Sequence, residues 1–399
     1  MKLSHPVAKQ DPVAPAPASA STKAIAGTLY SALEPRRYRY RVMERLLLPG
    51  ASFIALVSVL SGGSMLVGLG LGAVGLLAFW LVVYSRLSAA LVTGYASTTA
   101  AWFLIRQVGI DESLSVGFWL QVIAAWAMAW ACVEQLAAID TLSRFYRLVL
   151  NVIIPLLFGL WLLVLWELLT QGLNIPQVLL PSPSLIAERF STSTSILWAD
   201  FQQTFLKAVL MGYVLGCGSG FLVAILIDRS PFLQRGLLPI GNLVSALPIV
   251  GVAPIMVMWF GFDWPSKAAV VVIMTFFPML VNTIAGLAAA QPMQHDLMKT
   301  YAAGYWQSLF KLRIPEALPF IFNALKINST LAMIGAIVAE FFGTPTVGMG
   351  FRISTEVGRM NVDMVWAEIA VAAMAGSLFY GAIALTERVF TFWHPSNRG

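Results

Sequence analysis

Charge is what this sequence has least of. Only 11% of its 399 residues are Asp, Glu, Lys or Arg, against 58% hydrophobic, and the mean hydropathy is +0.79. So little charge cannot cover a soluble globular surface, so the chain reads as a polytopic membrane protein. Cysteine is nearly absent. Cys132 and Cys217 both lie in apolar runs, too few for a disulfide framework or a metal site, and read as small packing residues. The histidines His5, His295 and His394 lie scattered outside the apolar runs. With no His, Cys or carboxylate cluster, an integral membrane enzyme is disfavoured. A GxxxxGK[ST] phosphate-binding loop is missing, so any ATP chemistry must sit on another subunit. The net charge of +6 is not a nucleic-acid footprint, because the arginines gather beside apolar runs, where they set topology.

What is present is a succession of apolar runs. Residues 1–35, with VAPAPASAST at their centre, lack the apolar core of a signal peptide and are expected to be a disordered cytoplasmic tail. Arg36, Arg37, Arg39, Arg41 and Arg45 follow, so 1–45 is tail plus basic flank, with the N-terminus inside. Residues 46–84 are too long for one crossing of about 20 residues, and Ser61-Gly62-Gly63-Ser64 divides them in two. With 87–105 and 116–138 they make a four-span extension over 46–147, either a lipid-facing bundle packed on the rest or a docking surface for a partner. Six further spans follow in a region covering 148–399: 151–170, 204–227, 237–260, 268–290, 320–342 and 365–389. The expected fold is an all-α polytopic transmembrane bundle of ten spans. Arg144, Arg147, Arg229 and Arg235 place their loops inside, and both termini fall in the cytoplasm.

One polar island interrupts the second region. Residues 296–319 read DLMKTYAAGYWQSLFKLRIPEALP. Met298, Tyr301, Tyr305, Leu309 and Leu312 recur at three- and four-residue steps and share one helical face. Gly304 interrupts the pattern, and Pro315 with Pro319 is expected to end it. Two short helices lying on the membrane surface satisfy this pattern.

The island resembles the EAA loop of binding-protein-dependent ABC importer permeases. Asp296 stands at the acid position, Ala302 at the glycine position and Ile314-Pro315 at the hydrophobic-Pro pair. Two departures are evident: Asp replaces Glu, and Ala replaces Gly, with Gly304 offered as the residue that makes the turn. LPSPSLI, SALPIVGVAPIMVMWFGF, TFFPMLVNTIAGL and IGAIVAEFFGTPTVGMG resemble the nitrate/sulfonate/taurine branch. The WFGF and FFPMLVNT wording is closest to permeases for thiamine-precursor pyrimidines and riboflavin. The resemblance covers about 250 residues, from near Arg147 to the C-terminus.

The resemblance implies a non-catalytic transport subunit in the bacterial inner membrane, surrounded by lipid. Its partners would be two ABC ATPase copies, a second permease copy or paralogue, and a periplasmic or lipid-anchored binding protein. ATP and Mg would sit on the ATPase, with no cofactor in this chain. The coupling loop would use Asp296, Tyr301, Ala302, Ala303, Gly304, Tyr305, Trp306, Ile314 and Pro315. Tyr301, Tyr305 and Trp306 are the candidate anchors on the ATPase, Trp306 serving equally well as a membrane-interface anchor.

Elsewhere the residues leave alternatives open. Gly212, Gly216 and Gly220 line one face of a span and suit close helix packing, within the subunit or at a dimer seam. Trp259, Phe260, Phe276 and Phe277 offer stacking surfaces, and Asn282, Asn328, Ser329 and Glu340 offer polar groups, for a substrate path carrying a flat heterocycle or a sulfonate-like anion. Glu167 and Glu368, near span edges, are expected to reach water. Lys267, Arg352 and Arg359 fall on the outer side, as a dock for an acidic binding-protein rim or as ordinary loop charge. The rival function is an ion-gradient-driven secondary transporter, which calls for broken spans and paired intramembrane acids.

Overall fold

The computed structural model describes residues 35–108, 114–139, 143–230, 232, 233, 236, 248–343 and 346–393. The N-terminal tail, the basic flank's side chains, Arg235, the start of the 237–260 run and His394 lie outside the described residues. No strand occurs among those described, and eight helices are long and apolar enough to cross a membrane. The first and seventh of the ten expected spans appear as shorter apolar helices, Leu46–Leu60 and Ile249–Phe260.

The chain divides into two compact units between Asn174 and Ile175. The first contains α1 (Pro35–Leu60), α2 (Met65–Tyr84), α3 (Arg86–Val108), α4 (Val116–Ala137) and α5 (Arg144–Gly172). The expected turn between α1 and α2 forms at Ser61–Ser64, where Gly62 takes φ +88°, a conformation open to glycine. That turn seats on the start of α4: Ser115 caps α4 and donates to Gly62 O at 2.8 Å, and Gln121 Nε2 donates to Ser64 O at 2.7 Å. The core between these helices is built from small side chains, Ala51, Ala55, Ala100 and Ala125, around Leu104, Phe118 and Met128. α5 packs on this unit through Trp161 and Leu168 and leaves most of its apolar surface exposed, as a lipid-bathed helix can. The sequence reading counts α5 in the second region; by packing it lies with the first.

The second unit begins with α6 (Pro183–Thr192) and α7 (Thr194–Phe201). A π-helical stretch, Gln202–Val209, carries α7 into α8 (Leu210–Asp228) without a break. Then come α9 (Ile249–Phe260), α10 (Trp264–Leu287), α11 (Pro292–Thr300), α12 (Tyr305–Ser308), a second π-helical turn (Leu309–Arg313), α13 (Ile314–Glu340), α14 (Met349–Gly358) and α15 (Val362–Phe390). The centre is α10, packed between α8 and α13. Gly212, Gly216 and Gly220 make that possible. A Cβ on Gly212 would lie 2.5 Å from Val271 Cβ, one on Gly216 would collide with Thr275 Oγ1, and one on Gly220 would lie 2.5 Å from Phe276 O. The three glycines therefore face α10 of the same chain, where the absence of side chains brings two helix backbones together.

Candidate coupling site

The polar island lies at the end of the second unit where α8 and α10 stop and α13 starts. α11 opens on Pro292, and Gln294 Oε1 reaches back to accept from Gln291 N at 2.8 Å. The chain then reverses at Tyr301–Gly304. Ala302 makes this reversal itself, at φ +50°, while Gly304 sits in ordinary backbone at φ −70° and ψ 170°. The expectation that Gly304 supplies the turn is thus corrected. The glycine position of the motif is a left-handed position, and alanine occupies it at a cost of about 1–2 kcal/mol.

From Tyr305 the chain is helical without interruption to Glu340. Pro315 and Pro319 do not end a helix, as expected from sequence, but stand in the first turns of α13. The reason lies just before them. The π-helical turn Leu309–Arg313 widens the helix where Pro315 lacks an N–H to donate.

The face proposed for the island is also divided. Because the backbone reorients at Ala302, helical spacing does not carry across it. Leu309 is fully buried, and Tyr305 packs beside it in the core of the unit. Tyr301 is 77% exposed, and Trp306, 53% exposed, stacks on Phe310 with ring centroids 6.0 Å apart. Met293 and Leu297 on α11 are exposed as well. Asp296 stands in water, paired with Lys299 at 3.1 Å. Of the three candidate anchors, Tyr301 and Trp306 remain open to a partner and Tyr305 is turned inward.

What turns it inward is a hub that sequence reading missed. Arg313 grips Asp228 with both ends of its fork: Nη2 to Oδ1 at 2.6 Å and Nη1 to Oδ2 at 2.7 Å. Tyr305 donates its hydroxyl to Asp228 Oδ2 at 3.0 Å, and Arg313 Nε donates to Leu287 O at 3.0 Å. The arginine and aspartate side chains are only 16% and 12% exposed. Three elements meet there: the last residue of α8, the last residue of α10 and the loop itself. Removing one partner of a largely desolvated pair costs about 3–5 kcal/mol, since the other charge is stranded. The signal in the sequence was an acid at the end of one apolar run and an arginine directly before Ile314-Pro315.

A second polar hub closes the opposite end of the unit. Three successive backbone donors at the start of α14 each find a different side chain. Gly348 N donates to Asp200 Oδ1 at 2.6 Å, Met349 N to Thr204 Oγ1 at 2.8 Å, and Gly350 N to Glu340 Oε2 at 2.7 Å. Thr204 also donates to Glu340 Oε1 at 2.8 Å, and Arg352 pairs with Asp200 at 2.9 Å. Carboxylates at a helix N-terminus satisfy its orphan donors and its dipole together. Glu368, expected to reach water, is fully buried beside Asp200 and Arg352, because α15 packs its flank on α14. Glu167 likewise is buried, hydrogen-bonded to Gln171.

Lys267 corrects another expectation. It is 1% exposed and donates to the carbonyls of Phe262 and Gly343, so its charge cannot meet a docking partner. Arg352, paired with Asp200, is mostly buried at 20% exposure, whereas Arg359, paired with Glu356 at 3.1 Å, is largely exposed. Nearby Asp263 caps α10. Bonds from Trp264 N and Gln203 Nε2, both at 2.7 Å, hold its carboxyl below the ordinary carboxylate range.

The substrate-path candidates are not brought together. Trp259 and Phe260 are exposed at the end of α9. Asn282 and Ser329 donate to carbonyls of their own helices, Pro278 O and Lys326 O. Phe277 packs on Phe276. Asn328 joins helices in the core: it is fully buried, and its Nδ2 reaches Thr275 O at 2.8 Å and Cys217 Sγ at 3.2 Å.

Comparison with known proteins agrees with this architecture. Residues 212–396 match the family described as binding-protein-dependent transport system inner membrane component. A formylaminopyrimidine transport permease protein of Halalkalibacterium halodurans is 32% identical over 240 residues, covering 60% of this chain and 95% of the relative. The chain belongs to the binding-protein-dependent ABC importer permeases. A probable ABC transporter permease of Haemophilus influenzae is 31% identical over 229 residues (57% of this chain, 93% of the relative), and a riboflavin transport system permease of Chloroflexus aurantiacus is 30% identical over 237 (59% and 88%). Further relatives carry names for aliphatic sulfonates, taurine and nitrate, which places this permease in the nitrate/sulfonate/taurine branch. The resemblance read from the sequence is borne out. The permease is a multi-pass inner-membrane protein of a family that works with an ATPase and a substrate-binding protein.

Proposed function

We propose that this permease carries a small organic nutrient into the cytoplasm by ATP-driven alternating access, and that residues 148–399 are its transporting core. The observation that carries the reading is the exposure of Tyr301 and of the stacked pair Trp306 and Phe310 on a loop whose base is held by Asp228 and Arg313. An open aromatic surface on a firmly seated helix suits a groove on a partner. That partner is an ABC ATPase present in two copies, holding ATP and Mg, while this chain does no bond-breaking chemistry. The loop then faces the cytoplasm, as do both termini. A second permease, identical or related, completes the path, and a periplasmic or lipid-anchored binding protein delivers the substrate, with Arg359 and Arg352 on the delivery side. Names of the relatives favour a heterocycle such as a pyrimidine vitamin precursor, with a sulfonate-like anion as the second class.

The test is purification of the tagged chain from native membranes in mild detergent, with identification of what accompanies it. Recovery of a P-loop ATPase that is lost when Tyr301, Trp306 and Phe310 are all changed to serine is the expected result. A chain that comes out alone, under conditions that keep a known importer intact, would overturn the reading in favour of gradient-driven transport.

A further inference from the structure

We infer that Asp228 and Arg313 are the positioning pair through which a movement of the coupling loop is transmitted to α8 and α10. This rests on the reading of the island as an ATPase-coupling loop and adds the element that does the coupling. A loop joined to the bundle only by its covalent ends, to α10 through 288–291 and to α13 directly, could rock on the membrane surface without drawing α8 with it. This loop is not so joined. Through one arginine it holds the carboxylate that ends α8 and the last carbonyl of α10, at 2.6–3.0 Å, and Tyr305 adds a further bond to the same carboxylate.

The geometry suits transmission. A bidentate guanidinium–carboxylate pair fixes orientation as well as distance, which a lysine or a single bond would not. Both groups are largely withdrawn from water, so the pair is little screened by salt. α8 and α10 are in backbone contact along Gly212, Gly216 and Gly220, so what displaces the end of one displaces both. α10 then carries the displacement about 36 Å, the length of its 24 residues, to the opposite end of the unit. The exposed aromatics Tyr301, Trp306 and Phe310 of the same loop are different side chains from Asp228 and Arg313, with Trp306 touching only the edge of Tyr305. Docking and transmission therefore fall to different side chains and can be separated by substitution.

The experiment places a reporter at the far end and breaks the pair at the near end. Phe262→Cys puts a thiol on a 66% exposed position in the turn between α9 and α10, just before the start of α10, and the native cysteines are both buried. The full complex, purified with its ATPase into nanodiscs, is treated with a water-soluble maleimide, without nucleotide and after trapping with Mg-ATP and vanadate. Labelling rates are normalised to the amount of trapped ATPase. With the native pair, trapping is expected to change the rate several-fold; in Arg313→Ala the ratio of the two rates should fall to unity while the ATPase is still trapped. Arg313→Lys, which keeps the charge but not the fork, should fall between them.

A full response in Arg313→Ala would overturn the inference. So would loss of the ATPase from that variant, since the pair would then belong to docking rather than transmission. Should Arg313→Ala be absent from the membrane, Asp228→Asn, equal in shape and lacking the charge, carries the same comparison with the same two outcomes. If the native complex contains no ATPase, it is the coupling-loop reading that fails, and the inference falls with it.

Discussion

Glu340 Oε2 accepts a hydrogen bond from Gly350 N at 2.7 Å, while the Cα of Gly348 faces the same carboxylate so closely that a Cβ there would sit 2.8 Å from Glu340 Cδ. Gly348 also holds φ +141°, outside the reach of most side chains. Gly348→Ala is therefore expected to destabilise the protein by about 2 kcal/mol or more, through strain and displacement of the Glu340 carboxylate. Thermal unfolding in detergent measures it; a melting temperature equal to that of the native protein would contradict the assignment.

The α8–α10 contact gives a paired prediction. Gly216→Leu drives a side chain into Thr275 and Val272, whose carbonyl lies 2.9 Å from the Cβ position, and should remove the protein from the membrane fraction. Gly218→Leu, two residues away with open space around it, should leave its yield unchanged. Equal yields of both variants would show that the helices do not pack this way.

Ala302 offers a gain rather than a loss. Ala302→Gly relieves a left-handed alanine and should stabilise the protein by about 1 kcal/mol, whereas Gly304→Ala, at φ −70° with nothing near its Cβ position, should be close to neutral. Unfolding curves for the two variants, taken side by side, decide it. The reverse order would put the turn at Gly304.

Asp263 predicts a pH dependence. Its carboxyl is held below its unfolded value by Trp264 N and then by Gln203, so its contribution to stability is present above the unfolded pKa of about 3.9 and is lost as pH falls through the lower folded value. The melting-temperature advantage of the native protein over Asp263→Asn should persist at neutral pH and shrink as the pH is taken below about 4. The effect should be small, because the carboxylate stands in water. An advantage that grows with acidity would refute the assignment.

The sequence by itself determined the solvent and the family. Apolar runs long enough to cross a bilayer leave little choice of fold, since a backbone in lipid must satisfy its own hydrogen bonds within helices. The order of the runs, the polar island between two of them and the wording around Pro254 and Pro278 were enough to point to the permease branch. Local chemistry was legible as well: Gly62 in a turn, and glycines at four-residue steps for close packing. What the tertiary structure decided was which polar groups meet. Asp200, Thr204, Glu340 and Gly348 are separated by up to 148 positions, and no local pattern in any of them announces the other three. Lys267 and Glu368 read as edge charges because depth in a bundle depends on which helix covers which, and that is absent from a single run's periodicity. Asp228 and Arg313 are ordinary ends of apolar stretches, 85 residues apart, until the ends of α8 and α10 converge on the loop. Spacing along the chain sets the face a side chain occupies, but only the packing of helices sets what that face touches.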